Sequence, residues 1–220
     1  MLKNLKLGLT LVKYGFNIKQ NILMCALFFV IGVILEIFTK GTNVIGVFYI
    51  VLIGMFALQM IISMGLSSLV ASSPLQRPLQ TTIPAITNHV IELAFFTIVL
   101  VAKFFFVKTG AATEDAMVDT LINFAMLVLF MFIYCGFCYK YFLAATIVFF
   151  IAVMAGNLGL TYSQFHSGAY EWIHSIGFMG AAGLCYATII LGCLVQIGLA
   201  KLFYKADFSK YAFKSVLQKM

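Results

Sequence analysis

The chain has 220 residues, 63% of them hydrophobic and only 10% charged, with a mean hydropathy of +1.07. That much apolar surface cannot be hidden inside a water-soluble globule of this length, so lipid is the solvent for most of the chain. The net charge of +7 does not call for nucleic acid, because where the basic residues lie says more than how many there are.

At the start of the chain, Leu2, Leu5, Leu9, Val12 and Phe16 recur at three- and four-residue spacing beside Lys3, Lys6 and Lys13. This periodicity predicts an amphipathic elbow helix over about residues 2–18, lying in the membrane interface. No cleavable signal peptide is expected, because this segment bears lysines and lacks an apolar run followed by a small-residue cleavage site. Six apolar runs follow, at about 21–38, 44–69, 86–107, 117–137, 141–158 and 176–203. A spanning helix needs roughly 20 apolar residues, and in lipid only a helix or a closed barrel satisfies its own backbone. Long runs without alternation favour helices, so the fold class expected is an all-α integral membrane protein with six transmembrane helices in one domain, residues 1–220. Eleven of the fourteen basic residues fall before the first span, in the 2/3 and 4/5 connections, or after the sixth span. The positive-inside rule then places both termini in the cytosol.

The second span carries Gln59, Ser63 and Ser67 at four-residue spacing, with Tyr49, Phe56, Met60 and Met64 close to the same stripe. Small and polar residues hold helices together in lipid, while methionine-bearing faces adapt to varied apolar partners; either use suits this stripe. Thr146, Phe150, Val153 and Asn157 make a weaker one in the fifth span. Within the third span stand His89 and Glu92 on one helical face, and a charge at mid-bilayer costs a few kcal/mol. Glu92 reads as a snorkelling or hydrogen-bonded inner-leaflet carboxylate, or, with His89, as a polar clasp or part of a substrate gate. Lys103, near the far end of the same helix, is expected to reach the outer interface. The segment TYSQFHSGAYEWIHS, Thr161 to Ser175, concentrates aromatic residues, which favour the headgroup level.

Chemical motifs are sparse. No G-x-x-x-x-G-K-[ST] phosphate loop occurs, so nothing here cradles a nucleotide. KTG at 108–110 lacks the S-x-x-K partner of a β-lactamase signature. Cys135 and Cys138 form a C-x-x-C without further ligands and read as packing residues, as do the other three cysteines; His166 and His174 lack companions for a metal site. No metal, cofactor or catalytic residue is expected in the chain.

The stretch VASSPLQRPLQTTIPA, residues 70–85, holds all three prolines and the single arginine. Ser72 or Ser73 would cap a short helix with Pro74 at its first position, and Pro84 would stop it. Leu75, Leu79 and Ile83 would share one face with Arg77 opposite, and Pro78 demands that the helix be very short, irregular, or restarted there. Six spans, an N-terminal elbow, this proline-marked loop after the second span and an outer aromatic segment at about 159–175 together resemble the membrane subunit of bacterial type-2 ABC exporters. The resemblance implies that residues 72–84 bear the coupling helix, with Ser73, Leu75, Gln76, Arg77, Leu79, Gln80 and Ile83 facing an ABC-type ATPase subunit that binds ATP and Mg2+. It further implies a homodimer of this subunit in the plasma membrane. Tyr49, Phe56, Gln59, Met60, Ser63, Ser67, Thr146, Phe150 and Asn157 would border the substrate path at the dimer axis. Amphipathic peptides of the phenol-soluble-modulin kind, or hydrophobic small molecules, are the expected substrates. The open alternatives are the six-helix subunit of a vitamin importer and a membrane-embedded immunity or assembly factor.

Overall fold

The computed structural model describes residues 2–14, 18–65, 73–164 and 167–210, apart from the side chains of 2–3, 157, 159–164 and 167–170. The elements in chain order are α1 (Leu2–Lys13), α2 (Ile18–Phe38), α3 (Val44–Gly65), α4 (Gln76–Gln80), α5 (Thr82–Lys108), α6 (Glu114–Phe137), α7 (Phe142–Gln164), α8 (Ser167–Ser175) and α9 (Gly177–Leu202). Among the described residues five helices, α2, α3, α5, α6 and α9, are long and apolar enough to cross a membrane. The chain is therefore an all-helical, multi-pass membrane protein. In α7 the corresponding apolar stretch is Phe142–Gly156.

The helices form a bundle in which α9 packs along α6 and α3 lies against both α2 and α5. Its centre is a layer of large side chains: Phe96 of α5 stacks on Phe124 of α6 at 4.9 Å, and Tyr186 of α9 meets the Phe96 ring edge-on at 5.0 Å. Helices in lipid gain little from burying apolar surface, so close backbone approach matters more. At Gly192 of α9 an added Cβ would sit 2.8 Å from Phe132 Cγ, and at Gly136 of α6 it would sit 2.8 Å from Leu199 Cβ. Those two glycines let α6 and α9 touch.

Side-chain contacts define the two ends of the bundle. At one end, the turn between α2 and α3 is closed by Gly41, whose φ of +75° suits glycine. The ammonium of Lys103, from α5, donates to the Gly41 carbonyl and pairs at 3.1 Å with Glu36 of α2. Gly46 of α3 makes room for that carboxylate, since a Cβ there would lie 2.8 Å from Glu36 Oε1. Thr120 of α6 donates to the Thr42 carbonyl at 3.0 Å, and Glu114 accepts from the Phe178 N–H at 2.9 Å at the start of α9. An acidic side chain there complements the positive end of the helix dipole. The expected excursion of Lys103 to the interface is thus corrected. Lys103 is 0% exposed, because Glu36 and the Gly41 carbonyl offer partners inside the protein.

Helix bounds differ from expectation in two places. α7 continues to Gln164, so the aromatic segment begins as helix and only then passes into α8. α5 begins at Thr82, taking in Ile83 and Pro84, which had been assigned to the connection.

Removing one partner of a buried ion pair leaves an uncompensated charge, which costs about 3–5 kcal/mol. Glu36→Ala and Lys103→Ala are each expected to lower thermal stability in detergent by an amount of this order. Glu36→Leu combined with Lys103→Met should recover most of the loss, read by thermal unfolding.

Candidate functional site

The other end of the bundle gathers α1, α4, the α6–α7 corner and the segment after α9. Pro78 is the third residue of α4, where the backbone N–H has no partner to give up, and Pro84 occupies the same place in α5. Each proline therefore starts a helix. The turn before α4 is held by Ser73, whose hydroxyl accepts from the Leu75 N–H at 3.3 Å, with Pro74 outside the helix. The short helix was expected; Pro74 at its first position and Pro84 as its stop were not realised. Thr81 separates α4 from α5 and donates its hydroxyl to the Arg77 carbonyl at 2.8 Å. The Gln80 amide donates to Gly65 at 3.3 Å, satisfying a carbonyl at the end of α3.

Leu79 and Ile83 do not share a docking face with Leu75. They are buried with Ile61 of α3 under Leu7, Leu11 and Val12 of α1, whereas Leu75 is 47% exposed. Gly8 permits the close fit of α1, since a Cβ there would crowd Thr87 and Ile83 of α5. The predicted apolar stripe of α1 is consequently only partly the packed one. Val12 belongs to both, Leu9 is exposed, and Phe16 and the Leu2 side chain lie outside the described residues. Of the expected coupling residues, Leu75 and Arg77 are exposed, Ser73, Gln76 and Gln80 half-buried, and Leu79 and Ile83 buried.

Beyond α9 the chain folds back across this end. The Arg77 guanidinium lies 5.6 Å from the centroid of the Tyr204 ring, within cation–π reach. The Tyr204 hydroxyl donates to Gln76 Oε1 at 3.4 Å. Lys140, in the α6–α7 connection, donates to the carbonyls of Tyr204 at 3.3 Å and Ala206 at 2.8 Å, and sits 3.5 Å from the Phe208 ring centroid. Burial lowers the Lys140 ammonium from 10.5 to about 8, and Asp207 partly offsets that effect. Lys140 is the basic residue of the 4/5 connection, and sequence reading could not pair it, since 64 and 66 residues separate it from its carbonyl partners.

The two remaining groups of candidate residues separate in space. Tyr49 and Phe56 of α3 pack at a tilt against Phe28 of α2, with ring centroids at 5.5 and 5.4 Å. Met60 and Ser63 are buried, with the Ser63 hydroxyl donating to the Met60 carbonyl at 2.8 Å. Gln59 is half-buried. The described part of this stripe packs α3 against neighbouring helices of the same chain. On α7, Phe150 is 62% exposed and the Thr146 hydroxyl donates to Phe142 at 2.8 Å; Ser67 and the Asn157 side chain lie outside the described residues. His89 and Glu92 are both buried but do not pair with each other. His89 reaches the Ile189 carbonyl of α9, while Glu92 and Asn88 face Gly54 of α3 without a well-formed hydrogen bond. Asn88 was missed in the sequence, although it sits one turn before Glu92. His174 faces Asp119 at 3.3 Å, and Cys135 and Cys138 are buried.

No family model, curated protein or solved structure matches the chain. The fold itself defines the class: an all-α membrane protein of several spans with a polar, proline-built corner at one end.

The lowered Lys140 value has a direct consequence. Below about pH 8 the amine is protonated and unreactive, and above it the neutral amine accumulates where an ordinary lysine at 10.5 would still be charged. Acylation of Lys140, followed by peptide mass spectrometry of the folded protein, should therefore have its midpoint near pH 8.

Proposed function

We propose that this chain is the transmembrane subunit of an ATP-driven exporter of the type-2 ABC kind, moving amphipathic peptides or hydrophobic small molecules out of a bacterial cell. The observation that carries the reading is α4. A five-residue helix, started and bounded by prolines, is anchored from below by Leu79 and Ile83 while Leu75 and Arg77 stay exposed at its tip. A connection meant only to turn the chain needs no such anchored knob. A knob fixed by two buried leucine-sized groups is suited to receive force from a partner protein.

Charge supports the orientation. Lys6, Lys13, Arg77, Lys140, Lys201, Lys205 and Lys210 all belong to the end that carries α4, which the positive-inside rule assigns to the cytosol. In this reading α7 is the fifth of six spans and both termini are cytosolic. Two copies of the chain would join two ATPase subunits, which bind ATP and Mg2+. Closure of the ATPases on ATP pushes α4 and switches the bundle between inward and outward access. The exposed apolar flank of α7, with Phe150 and Met154, would face the dimer axis or lipid. Peptide helices suit such a path because they satisfy their own backbone in an apolar medium.

The test is co-expression with a phosphate-loop ATPase subunit of the ABC exporter class, taken from the adjacent reading frame where one is encoded there. The complex should co-purify, and ATP hydrolysis should rise with an amphipathic helical peptide. Arg77→Glu should weaken ATPase association about tenfold, equivalent to ~1.4 kcal/mol, while the bundle keeps its thermal stability. An ATPase that neither binds nor responds would end this reading. A monomer purifying with a stoichiometric vitamin would replace it with the importer alternative.

A further inference from the structure

The helix α4 packs mainly on α3 and α5, so its motion has an obvious route into one half of the bundle. Its route to α7 is less direct, and residues 203–209 provide one. Tyr204 is the shared piece. Its ring lies under the Arg77 guanidinium and its hydroxyl meets Gln76, both on α4, while its carbonyl accepts from Lys140 at the α6–α7 corner. The contacts then continue along the chain. Ala206 accepts from Lys140, Phe208 lies against the same ammonium, and the Ser209 N–H donates to the Tyr139 carbonyl at 3.0 Å. On the near side Phe203 packs between Phe137 and Tyr141, with ring centroids at 6.1 and 5.4 Å.

We propose that residues Phe203 to Ser209 form a strap that links α4 to the α6–α7 corner, so that a displacement of α4 is passed to the start of α7 through Tyr204 and Lys140. The arrangement is a continuous physical chain with polar groups at each joint. Lys140 takes up carbonyls that lie just past the end of α9 and would otherwise need water. Because the strap grips α4 by an aromatic face and a hydroxyl, the ring of Tyr204 is the element that cannot be spared. In the exporter reading α4 receives the ATPase and α7 borders the substrate path, so the strap would carry closure to that path. That consequence rests on the proposed function; the mechanical link does not.

The link is tested on the full chain in lipid nanodiscs, by pulsed electron paramagnetic resonance between spin labels at Leu75→Cys and Leu143→Cys. Both positions are exposed. The background carries Cys25→Ser, the other four native cysteines being buried. The parent should give one narrow distance distribution, and Tyr204→Ala or Lys140→Ala should broaden it about twofold as α4 and the corner move independently. Tyr204→Phe, which keeps the ring, should stay narrow. A second label pair at the far end, Lys40→Cys with Lys108→Cys, should stay narrow in every variant. Unchanged widths in Tyr204→Ala and Lys140→Ala, or equal broadening at both ends, would overturn the strap. If the ATPase fails to associate, the exporter reading falls while the resonance result still decides the strap. If the ATPase binds and Tyr204→Ala leaves peptide-stimulated hydrolysis and transport unchanged, transmission through the strap is refuted.

Discussion

In an apolar solvent a polar group buried in the protein has no water to fall back on, and the structure depends on how that demand is met. The pair of Glu36 and Lys103 shows the constraint most directly. Both side chains are inside the bundle, 3.1 Å apart, and the ammonium also serves the Gly41 carbonyl. One cluster therefore fixes the end of α2, the turn after it and the far end of α5. Glycines allow it: Gly46 leaves space for the carboxylate, and Gly41 adopts the positive φ that aims its carbonyl. Once those three pieces are set, Thr120 can close on Thr42 and Glu114 can reach the start of α9.

The opposite end meets the same demand by different means. Two helix starts and a helix end crowd into residues 73–84, where backbone donors and acceptors lack partners. Prolines remove donors at the first turns of α4 and α5, Thr81 and Gln80 supply side-chain bonds, and Lys140 collects the carbonyls after α9. With these donors and carbonyls partnered, this end can hold Leu79 and Ile83 in a small apolar core beneath α1 and still leave Arg77 outside. The asymmetry of α4, buried below and exposed above, is what gives the exporter reading its physical footing.

How much was legible follows from the range of each interaction. Helix existence rests on local composition: a helix stands at each of the six expected apolar runs, and among the described residues five of them are long and apolar enough to cross a membrane. The prolines announced a broken connection, but not which side of each break they would join. Pro84 starts α5 because a proline in a first turn costs nothing there, and the same residue three positions later would have ended a helix. The apolar stripe of α1 was read from spacing alone, yet Gly8 turned another face, that of Leu7 and Leu11, onto Thr87 and Ile83. Lys103 was sent to the interface by a rule for isolated charges. Its partner Glu36 stands 67 positions earlier, too far for any periodicity to connect.

The sequence by itself determined the solvent, the helical class, the succession of apolar runs and the single point where the chain breaks and carries its only arginine. These follow from interactions within a few residues, where composition and spacing act directly. The tertiary structure alone decided which polar groups meet: Glu36 with Lys103, Asn88 and Glu92 over Gly54, Arg77 over Tyr204, and Lys140 with the carbonyls after α9. Each of those meetings joins helices distant in the chain, and each needs a backbone approach set by packing, which no local pattern encodes.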